Sequence, residues 1–68
     1  MHRFYIKSPD IKKNVIEITD PRIVFQLSKV LRIRQGGRFS VFGADEKEYL
    51  VEALEVSRHS ILGNVVEE

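Results

Sequence analysis

Five arginines stand before residue 39: Arg3, Arg22, Arg32, Arg34 and Arg38. A guanidinium is a planar fork that pairs bidentately with phosphate and stacks on bases. The last four, with Lys29, make residues 21–39 a stretch of five basic side chains and no acid. Arg32 and Arg34 flank Ile33, and Arg38 follows a glycine pair. The chemistry available to such a set is the grip of a polyanion, with Arg3, Arg22, Lys29, Arg32, Arg34 and Arg38 as candidate contacts. A cation near a helix C-terminus also gains from the macrodipole, so part of this cluster can serve the helix itself. Phe25 lies among these cations and has two readings. It stacks on an unpaired base, or it packs against another domain; the second is preferred.

Catalytic chemistry is harder to find. The chain has no cysteine, which excludes disulfides and thiolate metal sites. His2 and His59 stand near a terminus and in a turn, with no carboxylate pair at metal-ligand spacing. The serines lack a nucleophile setting. Gly36 and Gly37 match neither the P-loop nor the dinucleotide pattern. By elimination the chain binds something, with no catalytic, cofactor or metal residue of its own.

Charge is unevenly spread. Residues 1–44 hold nine bases against three acids, a balance of +6, and residues 45–68 hold two bases against seven acids, a balance of −5. A chain split in this way can turn a positive face to a nucleic acid. With 43% hydrophobic and 31% charged residues the composition is that of a globular domain. No apolar run approaches the roughly 20 residues that cross a bilayer, and the N-terminus lacks the apolar core of a signal peptide. These features fit a cytoplasmic protein with no membrane partner.

The elements that must position the cations follow from periodicity. Residues 3–6 and 15–18 read as short strands, with residues 8–10 as a turn. Thr19 or Asp20 caps a helix over about residues 20–32, with Pro21 at its first position. Ile23, Leu27, Val30 and Leu31 form its buried stripe and Val24 flanks it. Arg22, Phe25, Lys29 and Arg32 fall opposite. The helix should stop by Gln35, because two glycines follow. Residues 38–42, 49–56 and 61–66 read as strands, with residues 43–47 a polar connection and residues 58–60 a turn. The strand over 49–56 carries apolar residues at both parities. A sheet curled into a small barrel, with the helix plugging one end, would bury it well. Core packing is the expected role of Tyr5 and Phe42, although either ring could platform a base.

At this point the residues resemble a family. Arg3-Phe4-Tyr5-Ile6 is similar to the Arg-Phe-Phe-Val opening of the RsmE family of ribosomal RNA uridine-N3 methyltransferases. Gln26-Leu27-Ser28-Lys29-Val30-Leu31-Arg32-Ile33-Arg34-Gln35-Gly36 resembles that family's His-Leu-x-x-Val-Leu-Arg-Leu-Arg-x-Gly segment. Tyr49-Leu50-Val51-Glu52-Ala53 looks like the strand after its tip loop. Gln26 stands where the family often has histidine, so no histidine role carries over there. Gly37 replaces a usual acid, which implies a looser turn before Arg38.

The resemblance implies a mainly β fold, a small PUA-like β-barrel of five to six strands with one helix, filling residues 1–68 as a single RNA-binding domain. It implies that the parent is an enzyme of ribosome biogenesis. The parent's catalytic SPOUT domain, absent from this chain, would hold S-adenosylmethionine and form a homodimer. The implied partners are small-subunit ribosomal RNA, or the assembled small subunit, and that SPOUT domain. The chain alone would be a truncated, non-enzymatic piece that positions ribosomal RNA for methylation of a uridine ring nitrogen. The competing expectation is a protein-interaction or structural barrel with no RNA contact.

Overall fold

The computed structural model describes residues 2–7, 10–44 and 46–68. The turn expected at residues 8–10 therefore lies mostly outside the described residues, as does Asp45 of the polar connection. A six-stranded sheet curls into a half-barrel in the order β1-β4-β5-β6-β3-β2. Its strands are β1 (Arg3–Tyr5), β2 (Asp10–Lys12), β3 (Val15–Ile18), β4 (Arg38–Phe42), β5 (Glu48–Val56) and β6 (Ile61–Glu67). β1 runs parallel to β4, and every other pairing is antiparallel.

The strand over 10–12 is an addition to the sequence reading. It forms a hairpin with β3 through Lys13 and Asn14, both at positive φ (51° and 65°). Two consecutive left-handed residues make the tight turn whose twist matches the strands it joins. The usual signal for that turn carries glycine, which is missing here.

One face of the sheet is the core. Ile16 and Ile18 of β3 point inward while Val15 and Glu17 point out, as alternation requires. Phe39 and Val41 of β4, Tyr49, Val51 and Ala53 of β5, and Ile61 of β6 complete it with Ile23, Val24 and Leu27 from the helix. Up to Ala53 burial on β5 keeps to one parity, with Tyr49, Val51 and Ala53 buried and Leu50 half-buried between them. Leu54 is 41% exposed, the extra residue at an irregularity between Ala53 and Glu55 in the β5–β6 register. The inserted residue reverses the alternation, so Glu55 faces solvent and Val56 returns toward the core. Without it the Glu55 carboxylate would point inward.

Gly63 sets how tightly the sheet can curl. It lies opposite both Ile16 of β3 and Ala53 of β5. A Cβ there would collide with the Val51 side chain and press on Ile16. Three strands approach closely only because this position has no side chain.

The helix begins as expected. Asp20 is the N-cap, its Oδ1 accepting the Arg22 amide at 2.9 Å, and Pro21 takes the first position. α1 (Pro21–Phe25) then widens without a break into a π-helical segment (Gln26–Val30). Ser28 Oγ donates to the Val24 carbonyl at 2.6 Å, the acceptor that α geometry assigns to the Ser28 amide. A wider turn advances each residue by less than the α-helical 100°. Val30 therefore rotates out of the expected stripe and is 55% exposed, while Leu31 stays half-buried. The helix stops before Gln35 as expected, but the glycines are not what ends it. Arg32 turns left-handed at φ 53°, and the Ile33 amide closes onto the Leu27 carbonyl at 2.8 Å. The glycines act later, in the next turn.

Two core substitutions test this packing. Leu27 is fully buried. Leu27→Ala should cost about 2–5 kcal/mol, against the roughly 3–5 kcal/mol such small domains hold. A denaturant melt should find most of the chain unfolded at room temperature. Gly63→Ala should lose about 1–3 kcal/mol by overpacking, read as a fall in midpoint with an unchanged slope.

Candidate functional site

Two backbone devices hold the cations of the helix end and the β5–β6 hairpin. Residues 31–37 carry the chain from the helix into β4. Gly36 donates its amide to the Ala53 carbonyl at 2.8 Å, and Ala53 donates back to the Gly37 carbonyl at 2.8 Å. Gly36 adopts φ 89°, open to glycine and strained for other residues. The Gly37 amide closes on the Arg34 carbonyl at 2.8 Å, so the turn before Arg38 is tight rather than loose. Across the molecule, Ser57 pins the β5–β6 tip. Its Oγ accepts from the Ser60 amide at 3.1 Å, and its amide reaches the Ser60 carbonyl at 2.9 Å. Arg58 and His59 ride on that tip.

Three concavities meet along this side. One of about 380 Å³ lies between Lys29, Arg32 and Arg34. A second, of about 200 Å³, lies between Lys29, Ser57 and Arg58. A third, of about 300 Å³, is bounded by Pro21, Phe25, Lys29, Arg58 and His59. Ser28 and Lys29 line all three, and no acid among the described residues lines any of them. They form one trough running from Arg34 past Lys29 to Arg58. Among the described residues no ion pair engages Lys29, Arg32, Arg34 or Arg58. Four exposed cations are thus available to a polyanion.

The other expected contacts lie against acids. Arg3 Nη2 meets Glu48 Oε1 at 3.1 Å, and its guanidinium sits 4.9 Å from the centre of the Phe42 ring. Arg38 Nη2 meets Glu52 Oε1 at 3.2 Å, its opposite residue in the ladder. Arg22 Nε lies 3.7 Å from the Asp20 cap. These pairs are exposed and worth little, so they dilute the local field more than they lock the side chains. Tyr5 is 52% exposed and is not core; its ring meets Phe42 edge-on at 5.5 Å on the sheet's edge. Phe25 is 58% exposed in the trough.

Arg58 and His59 are not among the contacts that the sequence suggests. Nothing in the local sequence links them to Lys29, since only the β5–β6 hairpin carries them there. A larger concavity of about 450 Å³ is lined by Asp10, Glu17 and Asp20, the wrong sign for a polyanion. Among the described residues no group of three His, Cys, Asp or Glu side chains is placed to hold a metal. No helix among them is long and apolar enough to cross a membrane.

No protein-family model matches this chain, and no curated protein matches its sequence. Solved structures do match its fold. A ribosomal RNA small subunit methyltransferase E from Neisseria gonorrhoeae, bound to S-adenosylmethionine, superposes with a TM-score of 0.78 at 22% identity over 98% of this chain. A protein of Thermotoga maritima described as a predicted RNA methyltransferase gives 0.80 at 15% identity over 98% of the chain. A Legionella pneumophila protein with bound S-adenosylmethionine gives 0.79 at 22% over 96%. This chain spans 27%, 29% and 26% of their respective lengths. It has the small-barrel fold found within these larger proteins.

If the trough cations are surface groups, removing them leaves stability intact. Arg34→Ala and Arg58→Ala should each melt within about 0.5 kcal/mol of the parent in denaturant. A loss as large as that of Leu27→Ala would make the residue structural.

Proposed function

We propose that this chain is the RNA-binding domain of an RsmE-type ribosomal RNA methyltransferase, and that the Arg34–Lys29–Arg58 trough is its RNA contact. The observation that carries the reading is the trough itself: four unpaired cations, no acid, and two pinned backbone turns presenting them. The shared fold with ribosomal RNA small subunit methyltransferase E supports the choice of RNA. So does the resemblance of residues 26–36 to that family's basic segment.

In this reading the domain supplies position. Lys29, Arg32, Arg34 and Arg58 neutralise successive phosphates of small-subunit ribosomal RNA, and Arg3, Arg22 and Arg38 add to the field once their acid partners yield. Orienting the substrate is a substantial part of catalysis, because it removes translational and rotational freedom before reaction. The chemistry, S-adenosylmethionine-dependent methylation of a uridine ring nitrogen, belongs to a SPOUT domain of the parent, which would also form the homodimer. The trough does not fit that cofactor. A sulfonium is cationic and would be repelled by the trough, and no glycine-rich loop is present to let backbone approach it. Action in the cytoplasm, during ribosome biogenesis, follows from the substrate.

The test is a titration of a small-subunit ribosomal RNA fragment at several salt concentrations. About four phosphate contacts predict that log affinity falls against log salt with a slope near −3. Arg34→Ala should weaken binding by about 1–3 kcal/mol and flatten that slope by about one. Salt-independent binding, or none, would return the domain to a protein-interaction or structural role. Calorimetry with S-adenosylmethionine should show no heat with this chain.

A further inference from the structure

The third concavity differs from the other two because it contains rings. Phe25 is 58% exposed on α1, where a soluble domain gains nothing from showing it. Pro21, Phe25 and Lys29 recur every four residues, so they share one face of the helix. The β5–β6 tip brings Arg58 and His59 to that face, held by the Ser57 hydroxyl at 3.1 Å from the Ser60 amide. An exposed aromatic ring, a second ring on a pinned turn and two cations without acid partners therefore border one hollow of about 300 Å³.

We propose that this hollow takes a single unpaired nucleobase, stacked on Phe25, with its flanking phosphates on Lys29 and Arg58. This deepens the RNA-binding reading and rests on it. Cations alone attract paired and unpaired RNA alike, because both carry phosphate. A ring that must meet a base face selects RNA whose base is free to leave its stack. His59 supplies a second ring, or a donor to the base edge. The same patch fits a protein partner poorly. Charged residues are depleted at interface centres, and here the only apolar neighbour of Phe25 in the hollow is Pro21. Phe42 does not offer this arrangement, since the Arg3 guanidinium already lies over its ring.

The experiment compares a short single-stranded RNA with a blunt RNA duplex of equal length. Both are titrated against the parent chain, Phe25→Ala, Phe25→Leu, Phe25→Tyr and Lys29→Ala. Phe25→Ala and Phe25→Leu should each weaken single-strand binding by roughly 5- to 100-fold, the range of one stacked base. Duplex binding should change by less than about twofold, as should the salt slope. Phe25→Tyr should keep the preference. Lys29→Ala should weaken both RNAs together. Overturning results are clear. If Phe25→Leu binds single strands like the parent, the ring is an apolar docking contact and not a stacking platform. If Phe25→Ala weakens both RNAs equally, no base is read there, yet the phosphate trough stands. If the parent binds neither RNA, the RNA-binding reading falls and this inference falls with it.

Discussion

Both backbone groups of Ala53 are committed to the Gly36–Gly37 turn, and most of the geometry on this side of the molecule depends on that exchange. It welds the exit from the helix to the middle of β5. The same strand runs on through the inserted Leu54 to the Ser57 turn, so one element carries both ends of the trough. Gly63 makes the weld possible from behind. By lacking a side chain it lets β6 lie tight against Val51 and Ile16, which curls the sheet beneath the helix. A side chain at 63 would push these strands apart and would be felt at Arg34 and Arg58, far along the chain from each other.

The charge split of the sequence turns out to do two different things. Part of the acidic half folds back onto the basic half: Glu52 of β5 against Arg38 of the neighbouring β4, and Glu48 of β5 against Arg3 of β1, with β4 between them. A directly opposite pair such as Arg38–Glu52 helps to fix register for a few tenths of a kcal/mol. Four other bases, Lys29, Arg32, Arg34 and the late Arg58, gather around concavities that no described acid lines. Net charge of +1 therefore conceals a local field that is strongly positive on one side. Coulomb attraction at an exposed surface is screened within about 8–10 Å. It is this local count, not the sum over the chain, that sets what the domain attracts.

Much of the fold was legible in the residues. Alternation in 15–18, the Asp20-Pro21 start and the strands at 38–42 and 61–66 are local signals, and each is where periodicity puts it. Three features were not legible, for different reasons. β2 has one apolar residue and a turn without glycine, so it lacks both pattern and punctuation. The π turn depends on one serine hydroxyl capturing a carbonyl, a choice that periodicity at 3.6 residues cannot express; Val30 was misplaced for that reason. The inserted Leu54 is visible only as a register shift between two strands. The site divides along the same line. Lys29, Arg32 and Arg34 are neighbours in sequence and were found together. Arg58 and His59 join them by hairpin topology alone, about 25 residues downstream.

Stability and binding draw on the same few residues in so small a domain. Among the described residues its core is eleven buried apolar side chains, with one phenylalanine, Phe39, fully inside. Burying an aromatic is among the larger gains open to a chain of this size, since a full ring is worth about 1.5–3 kcal/mol. Leaving Phe25 largely in water forgoes much of that gain where the margin is a few kcal/mol. Val30 is turned out by the same helical segment, so the widened turn both exposes apolar surface and aims Lys29 into the trough. A helix that kept α geometry to its end would place Val30 on the buried stripe with Ile23 and Leu27. The fold thus accepts a weaker helix–sheet contact in the same segment that sets an exposed ring beside two unpaired cations, Lys29 and Arg58.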